Sequence, residues 1–339
     1  MPATSQRKSA AAEVVAHLVT EFPTAPALTL AKRAYREHPE LWPNLEACRS
    51  AFRGQLGVMG EKKRKQTPDK KHYRKPRPAG WTDVIPEALV QLGEWKAVEV
   101  PGPHRALILS DVHLPYHSME ALQLALEYGE KRKPTLILLN GDLFDFYAIS
   151  RWETNPKMRD FPAEVRAGKF FLGGLRKRFP KARIIFREGN HEERWEKYLR
   201  LKAPDLLGLP DFEWESVYGL EEFRIERIGD KRPVRLGELN TLHGHEYVFA
   251  ISNPVNPARG LFLRAKCHAL CGHFHQPAQH SEKNVEQKLV TTWSTGCLCD
   301  LTPEYRPLNP WGHGFAFVEI GKDGSFAVDN LRIVNGKVW

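Results

Sequence analysis

The sequence predicts an α/β chain built in four layers, α/β/β/α, with two mixed sheets at its centre and a small helical domain ahead of them. Three observations predict it. Short, nearly continuous apolar runs alternate with amphipathic helical patterns between residues 105 and 186, as expected of strands covered by helices. After about residue 232 strand patterns dominate, enough for a second sheet packed on the first. Residues 1–60 carry helical periodicity, and residues 61–80 carry hardly any apolar side chain.

In chain order, three helices are expected first, from Ala11 to about Glu21, from Thr29 to Glu37 and from Asn44 to Gly57. In the third, Leu45, Cys48, Phe52 and Leu56 share one face at spacings of three and four, with Arg49 and Arg53 on a neighbouring face. Two short helices joined by HPELWP and ending in a basic helix resemble a helix-turn-helix, although the turn is longer than usual. The other reading is a helical bundle that docks on a partner or on the main domain. Behind it, EKKRKQTPDKKHYRKPRPAG (61–80) holds nine basic residues, two acids and three prolines, the composition of a solvated linker. Residues 1–80 contain 16 Lys and Arg against 7 Asp and Glu, whereas the remaining 259 residues hold 34 of each. The whole net charge of +9 therefore sits in the first quarter. Phosphate neutralisation is the commonest use of such a region, so residues 1–80 are expected to bind nucleic acid.

The main domain is expected over 81–339. Arg105–Ser110, Thr135–Leu139 and Ala182–Phe186 read as strands, separated by helices at Ser118–Lys131 and Ala163–Phe179. Later strands run through LNTLHGH, HALCGH, KLVTTWS, GFAFVEI and SFAVDNLRIV. Polar residues close these strands in a pattern. The first ends in Asp111-Val-His113, the second in Asn140-Gly-Asp142-Leu-Phe-Asp145, and the third in Gly189-Asn190-His191-Glu192. Two later ones end in His243-Gly-His245 and Gly272-His273-Phe-His275. Carboxyl ends of neighbouring strands lie side by side in such sheets, so these groups converge on one crevice. Carboxylates, an amide and imidazoles without a required thiolate suit two divalent ions, manganese first and iron or zinc as alternatives. Two such ions clamp the attacking and leaving oxygens of a phosphoryl displacement.

Composition excludes other classes. No window of about 18 uninterrupted apolar residues occurs and the N-terminus lacks the apolar block of a signal peptide, so a cytoplasmic protein without membrane contact is expected. The five cysteines, odd in number and at spacings unlike a zinc knuckle, read as reduced and mostly buried.

The ordered set Asp-x-His, Gly-Asp-x-x-Asp, Gly-Asn-His-Glu, His-Gly, Gly-His-x-His is similar to the calcineurin-like metallophosphoesterase superfamily over roughly residues 105–320. The resemblance implies hydrolysis of a phosphate ester by a metal-activated hydroxide. It implies Asp111, His113 and His275 as ligands of one metal, Asn190, His243 and His273 as ligands of the other, and Asp142 as the bridge. His243 directly precedes the glycine and is preferred, with His245 as the fallback. His191 resembles the histidine that faces the phosphate without binding metal, and Asp145 its orienting partner. The protein Ser/Thr phosphatases of this superfamily carry a glycine after Asp-x-His and Arg-Gly after the second aspartate, where this chain has Leu114-Pro115 and Phe146-Tyr147. A phosphate-gripping arginine is thus missing from its usual place. What remains is a phosphodiesterase, nuclease or nucleotide phosphatase, and Asp111-Val-His-Leu-Pro-Tyr-His behind a basic region resembles phosphoesterases of bacteriophages and prophages. The competing class is a DNA-binding protein that uses the fold for recognition only.

Around these motifs, Glu192 reads as a helix-start acid favoured by the dipole. Arg194, with Glu193 and Glu196 nearby, reads as a member of a helix-surface ion pair. Tyr116 and His117 read as loop residues. Residues 204–232, rich in aromatics, are placed to cap the site unless those rings pack into the core.

Overall fold

The computed structural model describes residues 4–57, 85–86, 95–247 and 254–339; the linker expected over 61–80 lies outside the described residues. The chain divides into two compact units, Met1–Leu92 and Gly93–Trp339.

In the first unit, helices α1 (Thr4–Glu21), α2 (Ala27–Glu37) and α3 (Leu45–Leu56) form a bundle. Helix α1 starts at Thr4 and not at Ala11, because Gln6, Arg7 and Lys8 are good helix formers that carry the helix beyond its apolar stripe. Its core is Val15, Leu18 and Val19 of α1, Leu30, Ala31 and Ala34 of α2, Cys48 and Phe52 of α3, and Trp42 from the connection. Asn44 caps α3 by accepting the Ala47 N–H at 2.8 Å. Arg49 and Arg53 lie 3.4 and 3.5 Å from Glu46 on their own helix, so part of their charge is answered locally.

The second unit holds two sheets. The seven-stranded sheet takes β2 (His104–Leu109), β3 (Leu136–Asn140), β4 (Arg183–Arg187) and β5 (Ile225–Ile228) in parallel. Antiparallel strands β11 (Gly314–Ile320), β12 (Phe326–Val334) and β13 (Lys337–Val338) continue it beyond β2. The six-stranded sheet has the order β1 (Val98–Val100), β6 (Val234–Leu236), β7 (Leu239–Leu242), β8 (Ala269–Cys271), β10 (Leu289–Ser294), β9 (Ala278–Lys283). Side chains alternate between the two faces of a strand, which explains the continuous apolar runs. Ala106, Ile108, Leu136, Leu138 and Ile185 pack toward Val234, Leu236, Leu239 and Leu270 of the other sheet. Leu107, Leu109, Ile137, Leu139, Ile184 and Phe186 pack outward with Ala121, Leu122 and Ala125 of helix α4 (Met119–Arg132) and Leu172 and Leu175 of α5 (Phe161–Arg178). Helix α5 begins at Phe161, ahead of the expected Ala163, because Asp160 caps it by accepting the Ala163 N–H at 2.9 Å. Helices α6 (Glu193–Lys202), α7 (Trp214–Tyr218) and α8 (Pro257–Ala265) complete the unit; α8 covers the six-stranded sheet through Leu261. Among the described residues no helix is long and apolar enough to cross a membrane.

Register places the site. Leu109 pairs with Leu139 and Asn140 with Arg187, so β2, β3 and β4 end level with one another. In the other sheet Leu242 pairs with Cys271 and Cys271 with Ser294, so β7, β8 and β10 end together as well. The loops that carry the motifs are therefore brought to one edge of the sandwich by two sets of parallel strand ends.

Within residues 204–232, Trp214 and Tyr218 pack into the core and β5 forms an edge strand, while Phe212 is exposed. Tyr218 stacks on Phe144 at 3.9 Å between ring centres, Trp214 meets Phe186 edge-on at 5.0 Å, and β5 borders the sheet. Helix α5 comes so close to this stack that a Cβ on Gly168 would lie 2.4 Å from Tyr218 and 2.7 Å from Phe144, whereas a Cβ on Gly174 would meet nothing within 4 Å. The two glycines should respond oppositely. Gly174→Ala should raise stability by up to about 1 kcal/mol through helix propensity, and Gly168→Ala should lower it, since overpacking costs about 1–3 kcal/mol. Urea unfolding of both variants checks this; equal signs would contradict the packing described.

Candidate metal centre

The first three motifs follow β2, β3 and β4 at a sharp change of backbone direction. Asp111, His113, Asp142, His273 and His275 all adopt left-handed backbone, with φ between 52° and 67°. Such a conformation is disfavoured for residues with a Cβ, and its concentration at five chemically competent positions marks strain held for function.

The side chains converge. Asp142 Oδ2 lies 3.1 Å from His243 Nε2 and 3.9 Å from both His113 Nε2 and His191 Nε2. Asp111 Oδ1 lies 3.2 Å from His275 Nε2 and 3.9 Å from His243 Nε2, and its carboxylate accepts the His273 N–H at 2.9 Å. Asp142, His243 and His273 form one potential ligand group, and His113, His275 and Cys299 another. Asn190 presents a buried side-chain oxygen with no hydrogen-bond partner. His245 belongs to neither group; its Nε2 is held 2.9 Å from Glu193 Oε1, which favours His243 over it.

Tautomers follow from the outer partners. His243 Nδ1 donates to the Asn140 carbonyl at 2.9 Å, His113 Nδ1 to Asp145 Oδ2 at 3.1 Å, and His275 Nδ1 faces Cys299 Sγ at 3.7 Å. Each ring thereby turns its Nε2 to the interior. His243 Nε2 makes no hydrogen bond although it is buried, and the Nε2 atoms of His113 and His275 face each other at 3.3 Å. Carboxylate oxygens and imidazole nitrogens gathered this closely require positive charge among them, supplied by protons or by a divalent ion in their place, so the residues present fit a divalent-ion centre. Burial lowers the basicity of these imidazoles, yet the carboxylates outweigh it. Asp142 and Asp111 bring His243 up to about 9, and Asp111 brings His275 up to about 10.

Asp145 is placed differently from the expectation. Its carboxylate engages His113, and its backbone carbonyl accepts from His191 Nδ1 at 2.8 Å, while its Oδ2 stays 3.8 Å from that nitrogen. His191 lies close enough to His113 and Asp142 to be counted as a ligand, but both its ring nitrogens are engaged, the second with Arg194 Nη2 at 2.8 Å.

A profile of the calcineurin-like phosphoesterase family matches residues 104–293, more than half of the chain. The chain belongs to the calcineurin-like phosphoesterase family. With the family comes the class of activity, a metal-dependent hydrolase of phosphoester bonds that uses two metals. No curated protein matches the chain. Similar solved structures include Vacuolar Protein Sorting 29 from Cryptosporidium parvum (14% identity, 69% of this chain and 93% of that one, TM-score 0.37). The phosphoesterase Yfce from E. coli shares 15% identity over 66% of this chain and 98% of its own (TM-score 0.31). A dimetal phosphatase from Danio rerio shares 12% over 68% and 96% (TM-score 0.35).

Three residues of this phosphoesterase escaped the sequence reading. Glu192 is buried, and its carboxylate accepts four backbone N–H groups, from Gly189 at 2.8 Å, Asp142 at 3.0 Å, Leu143 at 3.0 Å and Phe144 at 3.2 Å. It ties the Gly-Asp-x-x-Asp loop to the Gly-Asn-His loop and is no mere helix-start acid. Arg187, buried at the end of β4, pairs with Glu246, whose carboxylate accepts the N–H groups of His243 and Gly244. Cys299 follows β10 as the other motifs follow their strands, and that position was its only signal.

Two outcomes follow. Glu192→Gln replaces an all-acceptor group by one carrying N–H donors against buried amides, so it should cost about 1–3 kcal/mol; thermal unfolding equal to that of the parent would contradict the role. Because a cation must displace protons from His243 and His275, metal loading at pH 7 should release about two protons. Calorimetry in buffers of different ionisation enthalpy measures the number, and release of none would contradict the protonation described.

Proposed function

We propose that this chain is a dimetal phosphoesterase that acts on nucleic-acid phosphates. The observation that carries the catalytic half is the convergence of nitrogen and oxygen donors from two sets of strand ends, with Asn190 Oδ1 and His243 Nε2 buried among them without a hydrogen-bond partner. Asp111, His113 and His275 would hold one ion, Asn190, His243 and His273 the other, and Asp142, whose Oδ2 stands between His113 and His243, would bridge. An all nitrogen and oxygen set of this kind suits manganese, with iron and zinc as alternatives. When bound, two ions supply Lewis acidity, activating water and neutralising charge on the phosphoryl group.

The residues of the chain do the rest. Burial holds the His191 imidazole down at about 4, against the pull of Asp142, so the ring is neutral. Its tautomer is fixed by the Asp145 carbonyl, and it stands beside the ligand groups with its Nε2 next to Asp142 and Arg194. Asp145 orients His113 through its carboxylate. Leu114-Pro115 and Phe146-Tyr147 replace the residues that mark protein Ser/Thr phosphatases, which supports a diester or nucleotide substrate.

The nucleic-acid half rests on the basicity of residues 1–80. By sequence, the nine basic residues against two acids in 61–80 supply most of that net charge, while Arg49 and Arg53 pair with Glu46 on their own helix. Delivery of a strand or duplex by that region would be steep in salt.

The test has two stages. With manganese, the full chain should hydrolyse bis(p-nitrophenyl) phosphate. His191→Asn should keep both ions and lose about 10²–10⁴-fold in rate, while Asp142→Asn should lose both ions; retention of both by Asp142→Asn would contradict the bridge. DNA cleavage by the full chain should then fall, and lose its salt dependence, on deletion of residues 1–80. If deletion changes neither, a small nucleotide or phosphoprotein becomes the substrate. A chain inert on every ester with its metals bound is a recognition module.

A further inference from the structure

Arg194 occupies the first turn of α6, where a surface ion pair would be the ordinary use of an arginine. Its two neighbouring glutamates are taken by others. Glu193 pairs with Lys197 and His245, and Glu196 pairs with Arg200. Arg194 instead lies inward with its side chain 18% exposed. Its Nη1 donates to the Asp145 carbonyl at 3.0 Å, its Nη2 sits 2.8 Å from His191 Nε2, and its nearest carboxylate oxygen, Asp145 Oδ1, is 3.6 Å away. Because His191 Nδ1 donates to the Asp145 carbonyl, Nε2 is the acceptor and Arg194 the donor. A guanidinium has five N–H donors, and two are used here.

The position where arginine is expected after Gly-Asp-x-x-Asp is filled by Phe146, which is buried against Phe144, Trp195 and Tyr218. We propose that Arg194 is the phosphate-binding arginine of this enzyme, delivered from the helix after Gly-Asn-His in place of the missing motif arginine. His191 Nε2 holds one prong of the fork as an acceptor 2.8 Å from Nη2, beside the Asp142 carboxylate, and a phosphoryl oxygen, itself an acceptor, can take that place. The fork then exchanges His191 for non-bridging oxygens, which it matches in pairs. This assignment rests on reading the cluster as a phosphoesterase centre.

The test uses the full chain loaded with manganese, titrated with inorganic phosphate by calorimetry, in the parent, Arg194→Lys and Arg194→Ala. Metal content and thermal unfolding are measured on each. Arg194→Ala should keep both ions and bind phosphate about 10- to 100-fold more weakly, the worth of one or two charged hydrogen bonds. Arg194→Lys, which keeps the charge without the fork, should fall between. On bis(p-nitrophenyl) phosphate KM should rise by a larger factor than kcat falls. Phosphate affinity within twofold of the parent, with both ions in place, would overturn the proposal, as would loss of the ions, which would make Arg194 a builder of the centre. If Arg194→Ala does not fold, Arg194→Lys decides by the same criterion. A parent that binds phosphate through Arg194 but hydrolyses no ester defeats the functional reading and leaves this assignment standing.

Discussion

Four backbone N–H groups, from two loops nearly fifty residues apart in the chain, are gathered by the carboxylate of Glu192. A buried carboxylate without donors would be intolerable, and four buried amides without an acceptor equally so. Each solves the other's problem, and the solution fixes the turn at Asp142 to the turn at Asn190. Asp142 answers by accepting the His191 N–H at 2.9 Å, so the two loops are locked in both directions. The spacing between the central carboxylate, the amide oxygen and the His191 imidazole follows from that lock. The Arg187–Glu246 pair performs the same service for the His243 loop.

This bracing also explains how the backbone tolerates its conformation. Five left-handed residues would each cost of order 1 kcal/mol or more if the surroundings let them relax. Here level strand ends and buried carboxylates leave the loops nowhere to go. Close approach supports this: a Cβ on Gly189 would lie 2.2 Å from Asp142 Oδ1, and one on Gly141 would lie 2.5 Å from His243 Nδ1. The glycines of the motifs are thus spacers that let the polar residues next to them meet.

The layers and the strands that carry polar endings were legible in the sequence, because each such strand and the residues closing it are contiguous and carry a local pattern, whereas the short or edge strands β1, β5, β6, β9 and β13 were not read. Element ends moved by a few residues where a cap such as Asp160, or helix formers such as Gln6 to Lys8, decided the boundary. What local pattern could not give was the identity of partners across the fold. Glu192 looked like a helix-start acid because its amides are distant in the chain, and Arg194 looked like a surface cation because the preference of Glu193 for Lys197 and His245 cannot be read from spacing. Asp145 was associated with His191 on the family pattern, whereas its side chain turns to His113 and only its carbonyl serves His191. The aromatics of 204–232 carry no period that separates a lid from a core, and packing on Phe144 decided for the core at Trp214 and Tyr218.

The origin of the ligands in two different sheets has a mechanical consequence. Asp111, His113, Asp142 and Asn190 hang from the seven-stranded sheet, and His243, His273 and His275 from the six-stranded one. Between the sheets lies an apolar layer that has no direction of its own and would permit small sliding. Ions shared by both edges would act as a rivet through the sandwich at one end. Filling the centre would then tie the two sheets together at that edge.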